Sequence, residues 1–300
     1  MRIVTTCPQE YFGVSRVFED GAALGLWTHI PLETLQLPLE ADRIIFGGAH
    51  PVYHVLLDRI PQEKWVLWTS PLLQTELARV EMEQLLYFMR EPRIRHVWFG
   101  EKEAKNAFGG KSVHAPYPIA VDRVKPSGPH ENKQGIGFFV PFTNPQKNVF
   151  NQLAAVKLFQ ETHKEVSLWT GGLTPEQTRF AEAVGLQYKD IGWRTGRDYY
   201  DDLHQRMMSL HVSLSESFGY GALDSMLLDT PCLVSPAMPW IPKGLGLVCG
   251  DPSNPQTIAN CISELYFTEP PPEVRPIALE VARARNDSLK MRLAEWENLP

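Results

Sequence analysis

Cysteine is scarce in this chain of 300 residues: Cys7, Cys232, Cys249 and Cys261 are the only four. No two share a CxxC spacing or a histidine partner at a metal-ligand interval, so the thiols read as free in a reducing compartment, with neither a disulfide framework nor a metal centre organising the fold. No run approaches the roughly 18 apolar residues needed to span a bilayer, and Met1 leads straight into strand-like Ile3-Val4 with no apolar leader. These absences predict a cytoplasmic, soluble protein. An excess of one charge is also missing, with 29 Lys and Arg against 35 Asp and Glu. Residues 1–125 hold 14 and 15 of these, which leaves 15 against 20 in the remainder. Neither part has the basic field of a nucleic-acid binder. The local cluster Arg90, Arg93, Arg95, Lys102 and Lys105 reads as a solvated helix end and loop. No internal repeat occurs, and Pro270-Pro271-Pro272 is the one low-complexity run.

What is present is alternation. A 43% apolar content over this length is enough for two ordinary cores, and short apolar strands take turns with amphipathic helices throughout, the pattern of parallel α/β sheets. In the first part, strands are expected at 2–6, 43–46, 65–68, 96–99 and 113–117, and helices at 14–26, 53–59 and 72–89. Pro116, Pro118, Pro126 and Pro129, with Ser127, Gly128, Asn132 and Gly135, form the one convincing linker. The crossing is expected within 126–134. Beyond it come strands at 136–140, 166–170 and 187–191 with helices at 148–161, 175–184 and 199–208. A strand at 245–248 and helices at 255–267 and about 275–296 follow.

The most informative stretch is Val212 to Pro236, VSLSESFGYGALDSMLLDTPCLVSP. It reads as a strand at Val212 to Leu214, a break at Ser215-Glu216-Ser217, a turn at Phe218-Gly219-Tyr220-Gly221, a helix from Ala222 to Leu228, and a strand at Cys232-Leu233-Val234. A glycine-rich turn at a helix start aims several backbone N–H groups and the positive end of the helix dipole at one point, which suits a phosphate or a polarised sugar hydroxyl. Glu216 and Asp224 place two carboxylates beside that pocket. Glu216 is expected to begin an exposed turn.

This string resembles the nucleotide-sugar signature of the retaining glycosyltransferases of family 4. Their pattern is Ser, a spacer, Glu, seven residues, Glu, Ala-Met, a Gly-Thr-Pro-like turn and a Val-rich strand. Here Ser215-Glu216, seven residues, Asp224-Ser225-Met226, Asp229-Thr230-Pro231 and Leu233-Val234-Ser235 fill it, with Asp224 in place of the second Glu. His114 to Ile119 and Asp122 to Pro126 are loosely similar to the family's interdomain crossing. The resemblance implies an α/β chain of GT-B architecture, two Rossmann-like domains facing a central cleft with a C-terminal helix crossing back to the first. The corresponding divisions are residues 1–130 on the acceptor side, 131–275 for the nucleotide sugar, and 276–300 for the returning helix.

The resemblance also implies roles. Glu216 contacts the donor sugar near its anomeric carbon, and His50, after Gly47-Gly48-Ala49, touches that sugar from the first domain. Lys147 takes the family's diphosphate-binding lysine position, whereas Phe142 stands where the family has an arginine. Thr143 and Asn144, or Arg194 from a neighbouring loop, are the candidates to replace that cation. Gly13 falls in the first strand-to-helix turn that approaches the diphosphate. Ser217, Phe218, Gly219 and Tyr220 offer backbone N–H groups, Asp224 accepts the ribose hydroxyls, and Trp193 with Arg194 lies beside the base. The implied activity is transfer of a hexose-type sugar, with retention, from a UDP- or GDP-linked donor to an acceptor hydroxyl of unread class. Neither a cofactor nor a metal is implied, since Asp201-Asp202 is adjacent rather than spaced. A catalytically weak sugar-binding or scaffold subunit and a GT-B epimerase are the competing readings.

Overall fold

The computed structural model describes residues 1–48, 50–128, 133–139, 144–269 and 271–297, with Phe12 and Leu72 described by their backbone alone. The chain divides into two compact units, one of Met1–Ala120 with Ala282–Pro300 and one of Val121–Val281. Among the described residues, no helix is long and apolar enough to cross a membrane.

The first unit runs β1 (Ile3–Thr6), α1 (Phe12–Ala23), β2 (Thr28–His29), β3 (Arg43–Gly47), α2 (Val52–Arg59), β4 (Glu63–Trp68), α3 (Leu72–Leu77), α4 (Arg79–Arg90), β5 (Ile94–Phe99), α5 (Lys102–Phe108) and β6 (Ser112–His114). Its sheet has the order β2-β1-β3-β4-β5-β6, and every pairing is parallel. Strands covered on both faces must be apolar almost throughout, and Ile44, Ile45, Phe46, Trp65, Val66 and Leu67 are all fully buried. On one side α2, α4 and α5 bury Tyr53, Leu57, Leu85, Phe88 and Ala104 against the sheet.

The second unit runs β7 (Ile136–Phe138), α6 (Val149–Thr162), β8 (Leu168–Thr170), α7 (Pro175–Ala183), β9 (Tyr188–Asp190), α8 (Gly196–His204), β10 (Met208–His211), α9 (Tyr220–Leu227), β11 (Cys232–Val234) and α10 (Pro255–Tyr266). The sheet order is β11-β10-β7-β8-β9, again wholly parallel. The last helix, α11 (Arg275–Trp296), starts within this unit's span and belongs to the first from Ala282 onward. There Trp296 meets the rings of Trp65 and Trp98 at 4.7 and 5.5 Å between centroids. Asn286 Nδ2 donates to Ile119 O, and Ile119 N donates back to Asn286 Oδ1, both at 2.8 Å.

Several elements depart from the sequence reading. The division falls at Ala120, inside the proline-rich stretch and ahead of 126–134, because Ala120 N is held by the buried Asp20 carboxylate at 3.1 Å and Tyr117 is buried in the first unit. Residues 72–89 form two helices, broken at the extended Ala78. The expected strand at 245–248 reduces to one bridge, Val234 to Val248, since Gly244 and Gly246 take positive φ and cannot continue an extended run. β10 ends at His211 rather than running through Val212 and Leu214. The Val212 and Leu214 amides donate to Gln152 Oε1 and Gln146 O instead of to a neighbouring strand. The short β2 and α5 are additions that no apolar pattern announced. In the basic cluster, Arg93 is paired with Glu91 and Asp58.

Candidate functional site

In an open parallel sheet the chain reverses its winding direction at one point, and the loops leaving the two strands there diverge to open a crevice. In the second unit that point lies between β7 and β10, adjacent strands whose following loops carry Lys147 and Glu216. The first loop closes with a short 3-10 turn, Pro145–Lys147, and then Asn148 in the left-handed region (φ 56°), which starts α6. Asn148 Nδ2 donates to Val212 O at 3.1 Å and to Pro252 O at 2.5 Å. Gln152, one turn into α6, donates to Lys147 O at 2.8 Å and accepts from Val212 N at 2.8 Å. Leu214 N donates to Gln146 O at 2.7 Å. Two loops about 70 residues apart are thereby fixed to each other before any ligand arrives, the preorganisation that a charge-stabilising site requires.

Between them sits a compact charged cluster. Lys147 Nζ lies 2.5 Å from Glu216 Oε1, His211 Nε2 lies 2.7 Å from the same oxygen, and Ser213 Oγ donates to it at 2.8 Å. The Glu216 side chain is 5% exposed and that of Lys147 15%. Burial alone would raise the Glu216 pKa, but the charges of Lys147 and His211 and their hydrogen bonds outweigh it and hold the carboxyl far below the usual carboxylate range. The expectation of an exposed Glu216 is therefore corrected: its backbone begins a turn, while its carboxylate is buried beneath two basic side chains. All three contacts converge on Oε1, and among the described residues none reaches Oε2.

Next to this carboxylate α9 begins. Gly219, its N-cap, has φ +86°, and a Cβ there would fall 2.8 Å from Met238 Sδ, so both conformation and space require glycine. Among the described residues no side chain caps the helix. Ala222 N and Leu223 N turn back to Gly219 O, which leaves the dipole's positive end facing the Glu216 loop. Phe218 is buried, packs on Tyr220 and Trp240 at 5.1 and 5.4 Å, and accepts from Trp240 Nε1 through its carbonyl at 2.7 Å. Ser217 and Tyr220 are half-buried. Asp224, in the second turn of α9, is 3% exposed.

The remaining sequence candidates are distributed as follows. Asn144 is half-buried at the start of the 3-10 turn, whereas Phe142 and Thr143 lie outside the described residues. Asp190 accepts from Gly172 N and Leu173 N after β8 and from Gly192 N after β9, which fixes the loop bearing Trp193, 44% exposed, and Arg194. Arg194 pairs with Asp202 of α8 at 3.5 Å. Asp201 accepts from Ser127 N and Oγ.

The first unit has its own winding reversal between β1 and β3. Gly13 lies in the first turn of α1, which starts at Phe12 rather than Val14, and among the described residues nothing beyond its chain neighbours and its own helix backbone stands within 4 Å of where its Cβ would be. His50 follows β3, meets Tyr11 and Tyr53 edge-on at 6.3 and 5.8 Å, and accepts from Val52 N through Nδ1 at 3.3 Å. Gly47 is filled space: a Cβ would come within 2.8 Å of Val14, Phe18 and Cys7.

Sequence reasoning missed His211, Ser213, Asn148 and Gln152. Ser213, three residues before Glu216, carried a legible signal, since serine side chains bond locally at that spacing. His211 was hidden because Val212 and Leu214 extended its strand in the apolar pattern.

No family model matches the chain, and no curated protein sequence matches it. Solved structures do share its fold along the whole length. HepE of Anabaena, solved in complex with UDP and glucose, is 14% identical with a TM-score of 0.76, and all of both chains is covered. The trehalose-6-phosphate synthase OtsA is 10% identical with a TM-score of 0.74 at the same coverage. Sucrose-phosphate synthase of Thermosynechococcus elongatus is 16% identical with a TM-score of 0.64, covering 99% of this chain and 98% of that one. At these identities the likeness establishes the fold. The chain has the GT-B architecture of two Rossmann-like parallel-sheet domains, as the signature at Val212 to Pro236 implied.

Proposed function

We propose that this chain is a glycosyltransferase that moves a hexose-type sugar, with retention of configuration, from a UDP-linked donor to an acceptor hydroxyl. The observation that carries the reading is the Lys147–Glu216 pair at the winding reversal of the second sheet, beside the uncapped start of α9. A nucleoside diphosphate leaving group develops negative charge, and a lysine and a helix N-terminus at one point are what would stabilise it. Glu216, anchored through Oε1, has Oε2 to accept a sugar hydroxyl. HepE has been solved with UDP-glucose, which favours uridine over guanosine for the donor. Lys147 is the proposed diphosphate contact, Gly219 and Tyr220 the backbone contacts to phosphate and sugar, and Trp193 the apolar cover of the base.

The proposed chemistry needs no covalent nucleophile. The acceptor oxygen attacks the anomeric carbon from the face the nucleotide leaves, the glycosidic C–O bond to phosphate breaks, and the departing phosphate oxygen takes the acceptor's proton. The test is incubation with a panel of nucleotide sugars, with release of free nucleoside diphosphate as the readout. Release from a UDP-hexose is the expected result, and silence across the panel together with no UDP-induced rise in Tm would overturn the reading.

Asp224 is the proposed contact to the ribose hydroxyls, directly or through one water, its side chain being shorter than glutamate by a methylene. A 2′,3′-dideoxy nucleoside diphosphate should then bind about tenfold more weakly, the scale of hydrogen bonds lost to a charged acceptor. Asp224→Asn should erase most of that discrimination. Equal calorimetric affinity of the wild type for both nucleotides would return Asp224, which is buried, to a packing role in α9.

A further inference from the structure

The residue that the signature does not name is His211. It is the last residue of β10, its side chain is 6% exposed, and its Nε2 lies 2.7 Å from Glu216 Oε1. Its other ring nitrogen, Nδ1, is buried with no hydrogen-bond partner among the described residues and faces the first turn of α9, 3.1 Å from where a Cβ on Gly221 would stand. A Cβ at position 221 would press on the ring at 3.1 and 3.3 Å and force it to give by a few tenths of an ångström, so the glycine lets the imidazole fit closely under the helix. A ring nitrogen that faces a carboxylate oxygen carries its hydrogen, so Nε2 bears an N–H and donates to Glu216.

We propose that His211 is a positioning residue of the donor site: with Lys147 and Ser213 it clamps Oε1 of Glu216 so that Oε2 is presented to a hydroxyl of the donor sugar. The inference rests on the glycosyltransferase reading and adds a residue to it. The three groups hold one oxygen from two separate segments, Lys147 from the loop after β7 and His211 with Ser213 from the end of β10 and the loop that continues it. Lys147 supplies charge on a flexible stem, whereas the imidazole is a rigid donor on a strand and fixes direction. Without it, Glu216 keeps its charge partner and loses its orientation. The consequence belongs in the chemical step, not in nucleotide binding, because His211 reaches the ligand only through Glu216.

The test compares two variants. Gln places an N–H donor near the position of Nε2 and has nothing in place of Nδ1, whereas Leu removes the donor altogether. His211→Leu should lower kcat for nucleotide-sugar cleavage by roughly tenfold or more, with KM and the UDP dissociation constant changed less than about twofold, and His211→Gln should recover most of the loss. Circular dichroism and Tm establish that each variant is folded. Histidine ring-nitrogen NMR supplies a readout independent of turnover: the wild type should show the Nε2–H tautomer at His211, and Glu216→Gln should perturb that signal. A folded His211→Leu variant with wild-type kcat overturns the proposal, as does an Nδ1–H tautomer, a Gln variant no better than Leu, or a parallel loss of UDP affinity. A wild type that cleaves no nucleotide sugar overturns the functional reading and this proposal with it, whereas a cleaving wild type with an active Leu variant overturns the proposal alone.

Discussion

Glu216→Gln should lower sugar transfer by about two orders of magnitude, the scale found when one preorganised polar group is removed from a transition-state site. The amide keeps the shape and can still meet Ser213, but it no longer balances Lys147, and it offers the sugar a weaker acceptor. Glu216→Ala should do more harm, because it removes the carboxylate from the largely buried Lys147 ammonium; breaking a buried pair from one side costs about 3–5 kcal/mol. The alanine variant is therefore expected to be less stable as well as inactive, and Gln is the cleaner probe. Transfer by a folded Glu216→Gln protein at the wild-type rate would remove Glu216 from the site.

The same residue fixes a pH dependence. Its carboxyl is held well below the ordinary value of 4.5 in the folded chain, so the unfolded chain binds the proton more readily. The resulting stabilisation is fully present above about pH 4.5 and is lost as pH falls toward the folded-state value. The Tm difference between wild type and Glu216→Gln should accordingly be largest near neutrality and shrink on acidification below that point. A difference that grows as the pH drops would mean that the carboxyl is not held ionised by Lys147 and His211.

How much of this was legible in the sequence follows from the length scale of each signal. The signature around Glu216 could be read because its turn, glycines and helix are contiguous, and the one-dimensional order of strand, turn and helix is also their spatial order. Lys147 was singled out because the resemblance puts a lysine in the loop after a strand that the apolar pattern revealed. The burial of Glu216 could not be read, since it depends on which strands become neighbours. β7 and β10 are adjacent in the sheet and about 70 residues apart in the chain, and only that pairing brings Lys147 over Glu216. His211 was obscure for the same reason: a histidine at a strand end has no meaning until the facing helix is shown to carry glycine at 221. Boundaries failed where hydrogen bonds from outside the sheet overrode the apolar pattern, as when the Gln152 side chain and the Gln146 carbonyl drew Val212 and Leu214 out of the ladder.

Lys147→Met should weaken binding of a nucleoside diphosphate by about 1.5–3 kcal/mol, or roughly ten- to over a hundredfold, while leaving affinity for the corresponding nucleoside nearly unchanged. Methionine keeps most of the aliphatic stem and removes only the ammonium. Without a ligand, Lys147 Nζ contacts Glu216, and the ion pair is locally neutral. An arriving diphosphate would share that ammonium rather than find it uncommitted, which places the expected loss within the range of one charge-assisted hydrogen bond and below that of a bare buried charge. The variant also leaves the Glu216 carboxylate with His211 and Ser213 as its partners, so a lower Tm is expected alongside the binding loss. Calorimetry with nucleoside and nucleoside diphosphate separates the two effects, because a general loosening of the unit weakens both ligands and a lost phosphate contact weakens one. Equal losses for the two ligands would show that Lys147 serves only to hold Glu216, and the diphosphate would then have to be met by α9 and its entrance loop.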